Sequence, residues 1–454
     1  MEIGIRQKIS TFQFLPLISV VMPCYNPNPQ LLKEAILSVQ QQLYENWELC
    51  IADDCSTDPA VRQTLAAFAA QDTRIKVVFR KTNGHICLAS NSALELVTGQ
   101  WVVLMDHNDT LHKHALAWVV RTINDKPEAQ LIYSDEDKID LSGKRSDPNF
   151  KPDWNLDLFY GYNLCSHLGV FRHHLIQKVG GFRPGFEGSQ DYDLVLRIIE
   201  HIDHRHIVHI PQILYHWRIH PKSTASGAKA KPYAALAGVK ALNEHLKRTN
   251  TQASAHLTEH NHYKVQYQVP RPEPLVSIII PTRNGLDLLK NCIDSITQKT
   301  SYPNYEVLVI DNNSDDAAVL AYFQHLQTQH ANIRVLADPR PFNYSQLNNF
   351  AVMHARGEIL SLLNNDTEVI HPDWLCEMVS LAVQPRIGAV GAKLLYPDGT
   401  VQHAGVIMGL GGVAGHVLSH IGKDDPGYFA RAILRQGLSA VTAACLVIRK
   451  SVFL

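Results

Sequence analysis

Several features that would assign a protein class at once are missing from this chain of 454 residues. Its 8 cysteines are scattered and form no C-x-x-C pair, which argues against a disulfide framework or a zinc knuckle and favours reduced thiols. There is also no H-E-x-x-H segment and no G-x-x-x-x-G-K-[ST] segment, which argues against a zincin-type metal site and a P-loop. Any nucleotide or metal site must therefore be built from other residues.

The chain also lacks a charge excess and a long apolar run. Its 42 Lys and Arg residues balance 43 Asp and Glu residues, so no nucleic-acid partner is expected. No apolar run reaches the roughly 18 residues that cross a bilayer, which predicts no transmembrane segment. An apolar stretch at 12–22 follows Arg6 and Lys8, but Pro16 interrupts it, and we interpret it as a strand rather than a secretory signal. A cytoplasmic location is expected.

What the chain does contain is an internal repeat. Leu17–Pro27 (LISVVMPCYNP) is similar to Leu275–Gly285 (LVSIIIPTRNG), with an offset of 281 − 23 = 258 between their prolines. The same offset relates further pairs of residues along the chain: Asn26 and Asn284, Asp53 and Asp311, Ser56 and Ser314, Asn91 and Asn349, Gly99 and Gly357, and Asn108 and Asp366. Two copies of one domain explain these matches.

Within each copy, short β-branched runs alternate with helical segments, which predicts an α/β fold with a mostly parallel sheet covered by helices on both faces. Ligands of such sheets bind beyond the carboxyl ends of the strands. We predict an N-terminal lead-in at 1–16, a first domain at 17–225, a helical and Pro-rich linker at 226–274, and a second domain at 275–454.

Two polar segments directly follow predicted strands. In the segment at 52–58, Asp53 suits hydrogen bonds from a base or a ribose, although the same segment also fits the capping of the next helix. In the segment at 105–109, Asp106 and Asn108 point to one side of an extended backbone and offer oxygen ligands to Mg²⁺ or Mn²⁺, although acidic turns are common.

Two further segments occur later in the first copy. Asp191 begins a predicted amphipathic helix, where it suits a general base, and capping alone explains it equally well. In the segment at 215–223, Arg218 shares a face with His216 or His220 and suits an anionic, metal-bound ligand.

Together these segments resemble the family-2 glycosyltransferases, inverting nucleotide-sugar enzymes of the GT-A fold, over nearly the whole chain. YSDEDKID at 133–140 and FKPDWNLD at 150–157 resemble the bacterial branch linked to surface polysaccharides, and the segment at 340–370 is similar to rhamnosyltransferase-type members. The fold class that the resemblance implies is two tandem GT-A-like, Rossmann-like domains with mostly parallel sheets.

The resemblance also implies roles for individual residues. Asp191 would be the catalytic base. The nucleotide-sugar site would comprise Pro23, Tyr25, Asn26, Asp53, Asp54, Asp106 and Arg218, with Asn284 and Asp311 in the second copy. Mn²⁺ or Mg²⁺ would be held by Asp106, Asn108, Asp109 and His220, with Asp366 in the second copy. The family usually has Asp where this chain has Asn108, and Asp109 is the residue that would compensate.

The expected activity is transfer of a sugar from a nucleotide-diphosphate donor to a hydroxyl of a glycan or lipid-linked acceptor, with peripheral association at the inner face of a membrane. One alternative is a sugar-nucleotide-binding protein or scaffold with degenerate sites. A nucleotidyltransferase is disfavoured, because the first strand is followed by Cys24–Pro27 rather than by a Gly-rich basic loop.

The second copy is expected to be cut short. Val447–Arg449 resembles Val170–Arg172, an offset of 449 − 172 = 277, so the equivalent of Asp191 would fall at 191 + 277 = 468. The chain ends at Leu454, so this copy is expected to be catalytically silent.

Overall fold

The computed structural model describes residues 9–219 and 232–454, and the chain divides into two compact units, Met1–Val265 and Gln266–Leu454. The strands of unit 1 are β1 (Ile18–Cys24), β2 (Trp47–Asp53), β3 (Ile75–Phe79), β4 (Trp101–Leu104), β5 (Thr110–Leu111), β6 (Leu131–Ile139), β7 (Arg145–Asn149), β8 (Gly169–Arg172), β9 (Ile207–Arg218), β10 (Ala253–Leu257) and β11 (Tyr263–Tyr267), the last of which crosses the boundary. Its helices are α1 (Pro29–Gln40), α2 (Pro59–Gln71), α3 (His85–Leu94), α4 (Ala115–Asp125), α5 (Leu156–Phe159), α6 (His173–Lys178), α7 (Gln190–Ile199) and α8 (Pro232–Arg248).

Unit 2 repeats the first part of this order. Its strands are β12 (Val276–Thr282), β13 (Tyr305–Asp311), β14 (Ile333–Ala337), β15 (Ile359–Leu363), β16 (Ala389–Gly391), β17 (Leu394–Leu395), β18 (Val401–His403), β19 (Val406–Met408), β20 (Ala414–His416) and β21 (Cys445–Arg449). Its helices are α9 (Leu286–Lys299), α10 (Ala317–Gln329), α11 (Tyr344–His354), α12 (Trp374–Ala382) and α13 (Lys450–Phe453).

The two main sheets share one topology. Unit 1 has the order β3-β2-β1-β4-β8-β6-β9-β5, with β7 paired to β6, and unit 2 has the order β14-β13-β12-β15-β21-β16. In each unit the first four strands are parallel, and β8 or β21 then pairs antiparallel with its neighbours. The predicted α/β class with mostly parallel sheets is confirmed, with antiparallel strands added beyond β4 and β15.

Burial explains why these segments are strands. β1 and β12 lie at the centre of the parallel strands, and all but one residue of each is buried, as expected for continuous apolar runs covered on both faces. The first two helices begin at capping residues. Asn28 accepts hydrogen bonds from two backbone amides of α1, and Asp58 accepts one from α2, so the segment at 52–58 does cap the next helix.

Each unit has a buried polar network at the end of the sheet where its parallel strands begin. Ser19 Oγ donates to Glu48 at 2.6 Å, and Gly99 N donates to Ser19 Oγ at 3.1 Å. The equivalents Ser277, Glu306 and Gly357 make the same bonds at 2.7 and 2.9 Å. A Cβ at Gly99 would lie 2.4 Å from Ser19 Oγ, so only glycine fits there.

The segment that follows β9 belongs partly to unit 1. Helix α8 packs against α7, where His245 and Arg248 both bind Glu200 at 2.8 Å. Compact unit 1 extends to Val265. The described part of the predicted linker at 226–274 therefore includes a helix and a hairpin that pack against the first domain.

Candidate active site

The exits of β1 and β2 are tied together. Asn26 adopts a left-handed conformation with φ of 42°, and its amide donates to Ser56 Oγ at 2.9 Å. Its side-chain oxygen accepts from Thr57 N at 2.8 Å. Buried Asp53 accepts from Ser56 N at 3.3 Å, and Tyr25 is 47% exposed beside this turn. Two of the residues predicted to contact the nucleotide sugar thus shape the loop itself.

Asp54 has a different environment from its neighbour. It is 1% exposed, and it accepts from Arg80 Nε at 2.8 Å and from Gly84 N at 2.9 Å. These bonds fix the loop between β3 and α3. Asp54 therefore holds the wall of the predicted nucleotide site.

Asp106 and Asp109 follow β4. Asp109 is fully buried, and it accepts from Tyr215 Oη at 2.6 Å and from Arg218 N at 2.8 Å, both on β9. The backbone amide of Asp106 donates to the same Tyr215 hydroxyl at 3.2 Å. Burial, followed by the charge of Asp106, raises the pKa of Asp109 to about 7. Strand β9 therefore fixes the predicted metal segment.

Arg218 differs from its predicted role in nucleotide binding. Its guanidinium is 2% exposed and binds the carbonyls of Asn108 and Asp140 and the carboxylate of Glu34, at 2.8, 3.1 and 2.8 Å. All of these partners are within the protein, so Arg218 clamps the loop that contains Asn108. His220, predicted as a metal ligand, lies outside the described residues.

One group of side chains in the described residues has the arrangement of a metal site. Ligand atoms of Asp106, Asp109 and His167 lie within 4.8 Å of one another. Two carboxylates and an imidazole form a donor set that fits Mn²⁺, and oxygen ligands also suit Mg²⁺. The predicted ligands Asp106 and Asp109 are brought together, whereas His167 was missed by the sequence reasoning.

His167 is held on two sides. Its Nδ1 lies 3.0 Å from Glu136 Oε2, and its ring stacks on Tyr215 with centroids 4.4 Å apart. Burial alone would lower the pKa of His167, but Glu136, with Asp109 and Asp106, raises it to about 9. Because Nδ1 is taken by Glu136, Nε2 is the nitrogen available to a cation. No sequence motif indicates His167, although its partner Glu136 lies in the segment YSDEDKID at 133–140.

Asp191 lies in the first turn of α7, as predicted. Asn163 Nδ2 donates to its Oδ2 at 2.8 Å. Ser189 precedes the helix but makes no side-chain cap, since its hydroxyl donates to Ala234 O instead. Burial raises the pKa of Asp191 above its ordinary value, although the charge of His167 acts in the opposite direction. A raised pKa suits a carboxylate that accepts a proton near neutral pH.

Two adjoining hollows meet at Asp106, His167 and Asp191. The smaller reaches Pro23 at the end of β1. The larger is a cleft of about 520 Å³ that extends past Asp191 to Tyr233 on α8. Asp106 and the predicted base Asp191 thus line both hollows, the smaller beside the end of β1 and the larger beside α8.

The second copy retains the geometry of the loops after its first two strands but lacks a group like Asp106, Asp109 and His167 in the described residues. Asn284 is again left-handed, with φ of 54°, and its amide donates to Ser314 Oγ at 2.9 Å, while Asp311 accepts from Ser314 N at 3.0 Å. Asp366 is exposed. Within the described residues, no group like Asp106, Asp109 and His167 lies in unit 2.

Strand register gives the unit 2 equivalents of the unit 1 site. Val170 pairs with Val103, and Val447 pairs with Ser361, where 361 − 103 = 258. The offset on β8 is thus 447 − 170 = 277, which places Ala444 at the position of His167. Ile132 and Val390 pair with these same two valines, which matches β6 to β16, but β16 ends at Gly391, before the position of Glu136.

The same offset of 258 places Asn364 at the position of Asp106 and Thr367 at the position of Asp109. All three candidate ligand positions have therefore changed in unit 2. The buried Ser–Glu–Gly network away from the site has not.

Parallel strands with polar residues and carboxylates at their carboxyl ends place the site where α/β proteins of this class bind their ligands. The model of glycosyl transferase family 2 matches residues 19–180 and 277–453, one segment in each unit. The chain belongs to this family, and the predicted family is confirmed.

Two bacterial relatives match almost the whole chain. Protein y4gI of Sinorhizobium fredii is 54% identical over 96% of this chain and 48% of its own length. The O-antigen biosynthesis protein RfbC of Myxococcus xanthus is 40% identical over 99% of this chain and 35% of its own length. The chain thus spans about half and about a third of these two relatives.

Among solved structures, TarS of S. aureus in complex with UDP-GlcNAc matches with 18% identity and a TM-score of 0.40, covering 51% of this chain and 74% of that chain. No helix in the described part of this chain combines the length and apolarity needed to span a membrane.

Proposed function

We propose that unit 1 is an inverting glycosyltransferase that moves a sugar from a nucleoside-diphosphate donor to a hydroxyl of a glycan or lipid-linked acceptor. The observation that supports this most directly is that Asp106, His167 and Asp191 line one cleft. The nucleotide would lie against the loops of Asn26 and Asp53, on the side of the cleft that Pro23 reaches.

The chemistry needs one base. Asp191 Oδ removes the proton of the acceptor hydroxyl while the hydroxyl oxygen attacks the anomeric carbon. The bond from that carbon to the diphosphate oxygen breaks, and its electron pair leaves with the diphosphate. Attack on the face opposite to the leaving group inverts the configuration. Asn163 orients the Asp191 carboxylate through its 2.8 Å hydrogen bond. Burial keeps Asp191 basic enough for this step.

The leaving group needs compensation of its charge. Asp106, Asp109 and His167 would hold Mn²⁺ or Mg²⁺, and the bound ion supplies positive charge to the departing nucleoside diphosphate. Tyr215 and Arg218 keep Asp109 in place. His220, outside the described residues, stays a predicted further ligand.

A role in surface polysaccharide synthesis is part of this proposal. It is supported by the 40% identity to a relative named as an O-antigen biosynthesis protein.

The test is a mass-spectrometric screen of UDP-, GDP- and dTDP-sugars with this chain, scoring release of nucleoside diphosphate. We expect one donor class to be turned over in the presence of Mn²⁺ and not by Asp191→Asn. A chain that binds nucleoside diphosphate but turns over no donor, with or without mixed glycan acceptors, would instead be a binding protein with degenerate sites.

A further inference from the structure

Two segments that the sequence singled out, 133–140 and 150–157, have no part in the mechanism above, and the fold brings them together. Lys151 Nζ lies 3.5 Å from Glu136 Oε2, and the Lys151 side chain is completely buried. Glu136 is 11% exposed in its side chain. A buried ion pair is costly to form unless its remaining hydrogen bonds are satisfied.

Both members of this ion pair also form hydrogen bonds with His167. Glu136 Oε2 lies 3.0 Å from His167 Nδ1, and Lys151 Nζ donates to the backbone carbonyl of His167. The second oxygen of Glu136 accepts from Asn149 Nδ2 at 3.2 Å. Glu136 and Lys151 therefore hold both the ring and the backbone of one histidine.

The same histidine lies beside the two carboxylates, because a ring nitrogen of His167 lies within 4.8 Å of ligand oxygens of Asp106 and Asp109. Its ring stacks on Tyr215, the residue whose hydroxyl binds Asp109. With Nδ1 bound to Glu136, Nε2 is left for the group formed with Asp106 and Asp109.

We propose that Glu136, anchored by Lys151, is a positioning residue that turns His167 Nε2 toward Asp106 and Asp109, so that His167 is the third ligand of a divalent cation. The inference rests on the proposed function only for the use of that cation. A histidine that binds a metal usually donates its other N–H to a carboxylate, which fixes the ring and strengthens the ligand.

Unit 2 provides an internal comparison. At the equivalent positions it has Ala444 for His167, with Asn364 and Thr367 for the two aspartates. The strand that corresponds to β6 is β16, which ends at Gly391, before the position of Glu136. Unit 2 thus lacks the three ligands together with the part of the strand that holds the positioning residue.

The experiment uses the full chain of 454 residues and Mn²⁺ alone, without any sugar nucleotide. Calorimetry should show weaker Mn²⁺ binding for Glu136→Gln by about tenfold and for Glu136→Ala by about 100-fold, the range typical of partners behind a metal ligand. The order follows from chemistry, because an amide oxygen still accepts from Nδ1–H whereas alanine offers nothing.

Electron spin-echo spectroscopy of bound Mn²⁺ gives the second readout. The wild type should show ¹⁴N coupling from a ligated imidazole, and His167→Ala should abolish it. Coupling that persists in His167→Ala overturns the proposal and assigns the nitrogen to another histidine, His220 being the first to examine. The absence of Mn²⁺ binding or of ¹⁴N coupling in the wild type also overturns it.

The matched control is Asp137→Asn. Asp137 is the next residue on β6, is equally buried, and binds His216 Nδ1 at 2.6 Å, but it does not touch His167. We expect its Mn²⁺ affinity to stay within about twofold of the wild type, since the loss at Glu136 is specific to a partner of a ligand. Equal loss in Asp137→Asn and Glu136→Ala would show a general effect on β6 and refute the positioning role.

Two outcomes separate this inference from the proposed function. If the Mn²⁺ affinities follow the expected order but no donor is turned over, the proposed function fails and the inference stands. If donors are turned over while Glu136→Ala, checked by its melting curve, binds Mn²⁺ like the wild type, the inference fails and the function stands. If Glu136→Ala does not fold, Glu136→Gln and the wild-type ¹⁴N signal decide.

Discussion

Units 1 and 2 are two versions of one sheet that differ mainly where chemistry would occur. Both retain the buried Ser–Glu pair and the glycine beneath it, with nearly equal distances. Both retain a left-handed asparagine after the first strand. Of the group formed by Asp106, Asp109, His167 and Glu136, unit 2 retains none. The comparison separates residues that the fold needs from residues that only a site needs.

The largest effect should come from the base. Asp191→Asn is expected to lower transfer by about 10²–10⁴-fold while leaving binding of nucleoside diphosphate nearly unchanged, because the base acts on the acceptor. Kinetics and calorimetry on the same preparation check both parts. As a control in unit 2, Asp366→Asn should leave transfer unaltered. Transfer that survives in Asp191→Asn and disappears with Asp366→Ala would place the activity in unit 2.

The next effect concerns the cation. Asp106→Asn gives unit 1 the residue that unit 2 has at Asn364, and it removes a charged ligand. We expect Mn²⁺ to bind at least tenfold more weakly, and chelator to lose its effect on nucleotide binding. The reverse change, Asn364→Asp, should create no Mn²⁺ site, because Ala444 supplies no ligand and Thr367 offers only a neutral hydroxyl. Detectable binding to a unit 2 site in that variant would contradict the comparison.

A smaller and shared effect is expected for the network that both units retain. Glu48→Gln and Glu306→Gln each leave buried donors poorly satisfied, and each should lower the free energy of unfolding of its own unit by about 1–3 kcal/mol. Glu48 accepts from Ser19 and Lys76, and Glu306 from Ser277 and Arg334. Hydrogen exchange during urea titration reports each unit separately. Strongly unequal losses would argue that the networks are not equivalent.

The smallest effect is on pH dependence. Burial raises the pKa of Asp191, so the protonated, inactive carboxyl persists to a higher pH than in an ordinary Asp. Activity should fall as the pH drops through this raised value, and the acidic limb of kcat/KM should lie above the usual pKa of about 3.9. Asn163→Ala removes a hydrogen bond that favours the charged form of Asp191, so the acidic limb should move to higher pH. A limb at the ordinary value would show that Asp191 is not the titrating base.

Much of the fold could be predicted because repeats and strand runs are local patterns. The offset of 258 located both sheets, the polar residues after a strand located Asp106, and the start of an amphipathic helix located Asp191. His167 and Glu136 could not be found in this way. They reach the site because β8 inserts antiparallel between β4 and β6, and such pairing between distant segments leaves no periodic signal.

Residue type misled the interpretation of Arg218 in a different way. An arginine near carboxylates suggests anion binding, yet each of its three nitrogens already donates a hydrogen bond, to Glu34 or to a backbone carbonyl. Only the folded structure shows which donors are already occupied. The segment after β9 was likewise taken as a linker, because helix α8 has no pattern that says what it packs against.

The packing of α8 and the β10–β11 hairpin on the first unit has an evolutionary consequence. Tyr233 and its neighbours line the cleft next to Asp191. The number of residues between the two repeats is therefore set by segments that complete the first unit and not by a flexible linker. Deletions in 232–267 would open the cleft, and selection should remove them. Natural variation in repeat spacing should instead be found in exposed loops of unit 1 that border no cleft, such as 141–144 between β6 and β7.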